Sequence, residues 1–288
     1  MDSIKSIITY KPPGLTMIQF IKEFRILNEK NEKYHRNGKI DKICFAGRLD
    51  PMARGKILLL FNDECKKINE YKSLAKTYQF RIILGIQTDT DDPLGIIENI
   101  QQINCKNNYK YVLDKLHETI ISKINSDSFL QKFHNYSSKC IDGQPLWYYK
   151  KNNISIDVPS HEVSIYDYQI DSNLETYDYN KWSSEIISQI KKIDHACDFN
   201  QQNIIDQWSK NHNLLELYAI PVTLTVSSGF YIRQFVRDFN NEIDCPLLTY
   251  DINRLDFVEK KFGKTPKNVF NSIMPSRNFG EAYDNYIL

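Results

Sequence analysis

The sequence predicts a chain of the α/β (α+β) class, with strands at its centre and helices laid against them. Three segments carry that expectation. Residues 76–86, KTYQFRIILGI, alternate: Tyr78, Phe80, Ile82 and Leu84 share one face, and Thr77, Gln79 and Arg81 the other. Met17, Phe20, Ile21, Phe24 and Leu27 recur at helical spacing behind Thr16 and Gln19, which form a capping-box signature. Residues 219–227 alternate again, Val222, Leu224 and Val226 against Thr223 and Thr225, before Ser227-Ser228-Gly229 turns the chain into a second helix.

The remaining elements follow in order. Residues 8–15 read as a strand end running into a tight Pro-Pro-Gly turn. The highly charged stretch 28–42 reads as a loop with helical turns, and 56–61 as a short buried strand. QTDTDDPLG at 87–95 is a turn-rich loop, and residues 109–124 are helical. Residues 136–168 suggest short strands and a hairpin at Asp142-Gly143, a favoured turn dipeptide. From 171 to 213 the chain is rich in Asn, Asp, Gln and Ser, which predicts an acidic surface insertion, partly disordered, with one helix near 181–193. The helix at about 231–243 buries Ile232, Phe235, Val236 and Phe239, leaving Arg233 and Arg237 together on another side. A strand near 247–257 closes the pattern, and no internal repeat interrupts it.

With 288 residues, 41% hydrophobic and 25% charged, the chain has enough apolar material for one domain spanning residues 1–288. Cys44, Cys65, Cys105, Cys140, Cys197 and Cys245 lie far apart with no C-x-x-C pair, which speaks for reduced thiols in an intracellular protein, cytoplasmic or nuclear. The longest apolar run, Ile57 to Phe61, is too short for a bilayer, and no secretory signal is visible. The net charge is +1, but residues 1–60 hold 12 Lys/Arg against 6 Asp/Glu, and residues 164–216 hold 4 against 9. A basic N-terminal part permits a polyanionic partner, and a solvated charged face has the same signature.

The segment FAGRLDPMARGKILLL, residues 45–60, concentrates the features that a reacting group needs. Gly47 permits close approach of another backbone or a ligand. Asp50 precedes Pro51, which pushes its backbone towards an extended conformation, and Pro51 fixes its own φ and has no N–H. The carboxylate is therefore expected on a stiff loop just ahead of a buried strand, a good mount for a reacting group. A purely structural Asp-Pro turn shares this local pattern.

GRLDPMARG resembles the catalytic segment of pseudouridine synthases, and its G-x-L-D-P-x-A-x-G frame is similar to that of the TruB family. Other segments agree in order. KPPGLT at 11–16 resembles the family's K-P-x-G motif, and KTYQFRIILGIQTDTDDPLG at 76–95 its K-x-Y…L-G-x-x-T-D-T-x-D-x-x-G segment. YSSKCIDGQPLWYYKKN at 136–152 resembles Y-S-A-x-x-x-x-G-x-x-L-Y, SSGFYIRQFVRDF at 227–239 resembles S-x-G-x-Y-I-R-x-x-x-x-D, and INRL at 252–255 the final L-x-R. The matches cover roughly residues 8–258, apart from the acidic segment.

The resemblance implies a pseudouridine synthase fold: a mixed, mostly antiparallel sheet with flanking helices and a central catalytic cleft. It implies that Asp50 is the nucleophile, Arg233 its partner at a helix start, and Tyr78 the residue that stacks on the base or helps remove a proton. Ile252 matches an aliphatic wall of the base pocket. Lys11, Arg54, Lys76 and Arg254 are candidates for phosphate contacts or site support. No cofactor and no metal are implied. The implied partner is RNA, most specifically uridine 55 in the T-loop of tRNA, reached by base flipping. The protein is expected to act as a monomer, without the C-terminal PUA domain of many relatives.

Three positions depart from the family pattern. Phe45 stands where the family carries His, and it can pack or stack but not hydrogen-bond through its side chain. Arg48 replaces a small residue, giving a G-R-L-D string similar to that of the RsuA family; it is a candidate second partner for Asp50 or a wedge into RNA. Lys139 stands one position before the expected lysine site, which Cys140 occupies, and on a strand one position changes the face. Two other classes remain beside the enzyme: an RNA-folding protein that kept only the cleft, and a metal-dependent enzyme built on Asp89, Asp91 and Asp92.

Overall fold

The computed structural model describes residues 5–28, 40–103, 106–210, 216–259 and 267–268. Most of the charged stretch read as a loop, residues 29–39, lies outside them, as do Cys105 and residues 211–213. In chain order the strands are β1 (Ser6–Lys11), β2 (Ile43–Phe45), β3 (Arg54–Phe61), β4 (Ala75–Leu84), β5 (Ile86–Thr88), β6 (Ile97–Ile100), β7 (Phe129–Lys132), β8 (Cys140–Ile141), β9 (Gln144–Pro145), β10 (Ser160–Val163), β11 (Ile165–Ile170), β12 (Glu175–Asp178), β13 (Glu216–Val226), β14 (Leu247–Glu259) and β15 (Lys267–Asn268). The α-helices are α1 (Met17–Asn28), α2 (Ile68–Lys72), α3 (Lys106–Asn125), α4 (Leu146–Lys151), α5 (Tyr179–Ile190), α6 (Gln201–Trp208) and α7 (Ile232–Asn240).

Nine strands form one sheet with the path β1-β3-β14-β4-β13-β11; β2 pairs with β3, β12 with β13 and β15 with β14. Its described pairings are antiparallel except where β14 runs parallel to β3 at Asn253 and Arg254. The sheet is thus mixed and mostly antiparallel, as the motifs implied. At the parallel seam β3 and β14 come very close. Gly55 has φ +119°, and a Cβ there would stand 2.4 Å from the Arg254 backbone nitrogen. Only glycine fits such an approach.

The alternation of β4 decides how the layers stack. Phe80, Ile82 and Leu84 enter the main core with Phe20 and Phe24 of α1, Leu116 and Ile120 of α3, and Phe235 and Phe239 of α7. Ile83 points the other way and is also fully buried, packed with Tyr179, Trp182, Ile186, Trp208 and Tyr250. Both faces of the sheet are covered at this end of β4, so the alternation gives way there to the short apolar run Ile82–Leu84.

That second cover is the acidic segment, and it corrects the expectation of partial disorder for its described residues. β12 adds to the sheet beside β13, and α5 and α6 bury Trp182 and Trp208 against it. The charge lies outward while Ile and Trp at helical spacing lie inward. Composition averaged over the segment hid this stripe.

Local signals hold elsewhere. The α1 capping box is formed: the Gln19 amide donates to Thr16 Oγ1 at 3.2 Å, and the Thr16 amide to Gln19 Oε1 at 2.9 Å. Leu27 is an exception on the helix face, being 59% exposed at the last turn. Asp142 and Gly143 both have positive φ, 48° and 80°, as a type I′ hairpin between β8 and β9 requires. Among the described residues no helix is long and apolar enough to cross a membrane.

Candidate active site

Asp50 sits in the loop between β2 and β3, between the buried Leu49 and Ala53. The Ala53 amide donates to the Asp50 carbonyl at 3.1 Å, closing a turn with Pro51 at its second position. The turn is therefore formed, and it leaves the Asp50 side chain half-buried and free to serve a second purpose. The Gly14 amide donates to the Pro51 carbonyl at 2.9 Å, joining the Pro-Pro-Gly turn to this loop.

Arg233 is brought to Asp50 by α7. Its side chain is 5% exposed, against 35% for Asp50. Nε donates to Asp50 Oδ2 at 2.9 Å, and Nη2 lies 2.8 Å from the same oxygen. The remaining donors go to the Thr90 carbonyl at 3.0 Å and the Tyr136 carbonyl at 3.4 Å. Asp50 Oδ1 accepts no hydrogen bond among the described residues, so one oxygen is tethered and the other remains available.

The turn-rich loop 88–96 forms the wall behind Arg233, and Asp92 Oδ2 stands 3.6 Å from Nε. Burial pushes the Asp92 carboxyl up to about 6, against the pull of Arg233 and with a further push from Asp50. Asp91 is likewise raised to about 6 by burial, opposed by Arg237 and Arg233. Asp91 Oδ2 receives Arg237 Nη1 and His134 Nε2, each at 2.9 Å. His134 Nδ1 accepts from the Tyr136 amide at 3.2 Å, which leaves Nε2 to carry the proton. Burial holds this imidazole well below its usual pKa, so it is a neutral donor to Asp91. The Tyr136 hydroxyl donates to Asp89 Oδ2 at 2.7 Å. The acidic triplet considered for a metal is therefore engaged in hydrogen bonds and ion pairs.

The candidate cations divide. Lys11 and Arg254 have no surface to offer a phosphate, being 0% and 1% exposed, and both serve as supports. Lys11 Nζ donates to the carbonyls of Ala53 at 2.7 Å, Pro12 at 3.1 Å, and Asp50 and Pro51 at 3.2 Å. Burial pushes this ammonium down to about 7, against the pull of Asp50. Arg254 donates to the Lys56 carbonyl at 2.7 Å and the Gly47 carbonyl at 3.1 Å, so the loop is gripped at both ends. Lys76 is also buried, donates to the carbonyls of Lys72 and Leu74, and is pushed down to about 7 by burial and then by Arg254. Arg54 forks onto Asp251 and donates to the Tyr10 hydroxyl at 2.9 Å.

Arg48 is the exposed exception. Its guanidinium lies 6.0 Å from the centre of the Phe45 ring and makes no ion pair with Asp50, which corrects that part of the expectation. Phe45 is half-buried at the end of β2. Tyr78 is half-buried on β4, opposite Arg254 in register; burial pushes the Arg254 guanidinium below its usual value, and Tyr78 opposes that push. Ile252 follows Asp251, whose φ of +50° marks a bulge in β14. The bulge brings Ile252 into a crevice shared with Met52, Ala53 and Asp92.

His134 and the Gln131 clamp escaped the sequence reading, and Arg237 was placed beside Arg233 without a partner. Gln131, 1% exposed, exchanges two hydrogen bonds with the backbone of Tyr231, at 2.9 and 3.1 Å, just ahead of Arg233. The Arg233–Arg237 spacing was visible in the sequence, but nothing there marked their carboxylate partners as buried.

Comparison with known proteins bears on the family of the chain. The profile of the TruB family pseudouridylate synthase N-terminal domain matches residues 35–187, more than half of the chain. The tRNA pseudouridine synthase B of Ureaplasma urealyticum is 28% identical over 218 residues, 74% of this chain and 89% of that protein. The one from Mesoplasma florum is 29% identical over 256 residues, 89% of this chain and 69% of that protein. Among solved structures, a Cbf5-Nop10-Gar1 complex is similar with a TM-score of 0.46 and 10% identity, over 88% of this chain and 49% of the other, so this chain spans about half its length. The matched residues include Asp50 and the 88–96 loop, and the chain belongs to the TruB family of pseudouridine synthases and is an isomerase.

Proposed function

We propose that the protein converts uridine 55 in the T-loop of tRNA to pseudouridine, with Asp50 as the nucleophile. The observation that carries this reading is the one-sided tether on Asp50: Arg233 occupies Oδ2 and leaves Oδ1 for the nucleotide. Attack by Oδ1 at the ribose C1′ breaks the N-glycosidic bond and leaves a glycosyl ester on Asp50. The base rotates and its C5 bonds to C1′, which releases the Asp50 carboxylate; a base takes the proton from C5, and the freed N1 takes up a proton in its place. Reactant and product are isomers, and the chemistry calls for a held carboxylate rather than a redox or group-transfer cofactor.

Tyr78 and Ile252 are the proposed walls of the base pocket, with Phe45 at its entrance. The target must leave its stack to reach a half-buried carboxylate, so the RNA is bound with that nucleotide flipped out. Arg48, Lys139 and Lys150 are exposed, as is Trp147 at 43%, and they supply charge and a stacking surface for the strand around it. The name tRNA pseudouridine synthase B, carried by the curated relatives, supports tRNA as the RNA.

The test is an unmodified tRNA transcript incubated with wild type and with Asp50→Ala, with pseudouridine mapped at each position. Product at position 55 from wild type alone supports the reading. Product elsewhere corrects the target. Equal RNA binding with no product from either protein overturns the enzyme reading in favour of an RNA-folding role.

A further inference from the structure

The acidic segment covers the sheet face opposite the main core, and it also reaches the site. Trp208, the last residue of α6, is fully buried, and its indole Nε1 donates to the Pro93 carbonyl at 3.0 Å. Beside it, Gln207 Oε1 accepts from the Ile97 amide at 2.8 Å. The first bond falls on the 88–96 loop behind Arg233, and the second on the start of β6, where that loop ends. Pro93 follows Asp92, whose Oδ1 accepts from the Leu94 amide at 2.8 Å and from Thr90 Oγ1 at 3.1 Å. Thr90 presents its carbonyl to Arg233 Nη1, and Asp92 its other oxygen to Nε.

Trp208 is itself held firmly. Trp182 of α5 meets it edge to face, with ring centres 5.3 Å apart, and Trp182 stands 5.2 Å from Tyr250 on β14. A buried indole with a satisfied N–H fixes both a distance and a direction, which a purely apolar contact does not. The hydrogen bond therefore sets where Pro93 sits, and through Asp92 and Thr90 it sets where Arg233 can aim.

We propose that Trp208 is a positioning residue for the Asp50–Arg233 pair, acting from the acidic segment through Pro93 and the 88–96 loop. The segment thus sets the geometry of the reaction without touching RNA, which its negative charge disfavours. This role rests on the pseudouridine synthase reading. Loss of the N–H with the ring retained should loosen the loop, misplace Arg233 and slow the chemical step, leaving RNA affinity alone.

Trp208→Phe removes the donor and keeps an aromatic ring. Trp182→Phe, in the same packing cluster but with no hydrogen bond to the loop, is the control for general loosening. In single-turnover reactions on a T-loop stem-loop RNA, Trp208→Phe should slow pseudouridine formation about tenfold with Kd within about twofold, and Trp182→Phe should stay within about twofold of wild type. Hydrogen exchange gives a second readout: the Leu94 and Ile96 amides should lose protection in Trp208→Phe and keep it in Trp182→Phe. Unchanged rate and protection in Trp208→Phe, or equal losses in both variants, overturns the positioning role. A wild-type protein that forms no pseudouridine in any RNA overturns the functional reading instead, while the exchange data still report whether Trp208 holds the loop.

Discussion

Arg233 grips Asp50 by a single oxygen, placing Nη2 and Nε 2.8 and 2.9 Å from Oδ2. A symmetric fork over both oxygens would bind more tightly and leave less carboxylate for chemistry. The arrangement also ties three acceptors to one buried cation, because the same guanidinium serves Thr90 and Tyr136.

Arg233→Lys should therefore fail despite keeping the charge. An ammonium cannot reach Asp50 and both carbonyls in the fork geometry. We expect a loss of about 100-fold in single-turnover rate, of the size that misplacement by about 1 Å produces. Arg233→Gln should lose at least as much activity and, by stranding buried carboxylates, about 3 kcal/mol of stability in urea unfolding.

Asp92 should make stability depend on pH in a particular direction. Its folded pKa is about 6, above the ordinary 3.8, so between these values the native state binds more protons than the unfolded state. The penalty for its buried charge is complete above 6 and is relieved as the pH falls through that value. Asp92→Asn cannot titrate. Wild type should gain melting temperature relative to Asp92→Asn as the pH is lowered from about 7 to about 5. A pH-independent difference would contradict the buried, shifted carboxyl.

Salt dependence should separate the two kinds of cation. Lys11 supports the loop and Arg48 faces solvent. Replacing an arginine that contacts phosphate lowers the slope of log affinity against log salt by about 1. Arg48→Met should do so if it meets the RNA backbone. Lys11→Met should leave the slope unchanged and instead cost about 2 kcal/mol or more in stability, since several buried carbonyls lose their donor.

Gly55→Ala should be among the most damaging small changes. The added carbon would meet the Arg254 backbone at 2.4 Å, and the φ of +119° is unsuited to alanine. We expect a loss of about 3 kcal/mol or failure to fold, read by denaturant unfolding.

Much of this was legible in the sequence. The β4 alternation, the α1 capping box and the Asp142-Gly143 hairpin are local signals, and local physics decides them. Asp50 and Arg233 were found because ordered motifs marked both, although 183 positions separate them. What stayed hidden depends on burial. Lys11 and Arg254 are ordinary basic residues until packing removes their solvent. Asp91 and Asp92 belong to a loop whose turn composition says nothing of the arginines behind it. The acidic segment was misjudged because averaging its composition erased the Trp182–Trp208 stripe.

The pairing of β3 with β14 has a consequence for how the protein comes into being. Gly55 and Arg254 meet in register, yet nearly 200 positions of chain lie between them. A ribosome must deliver the late strand before the early loop acquires its second anchor, and closing so wide a circuit is slow. A nascent chain halted before residue 247 would display β3 and β4 as raw neighbouring edges, inviting self-association and offering no competence. Activity in this molecule waits on the synthesis of β14.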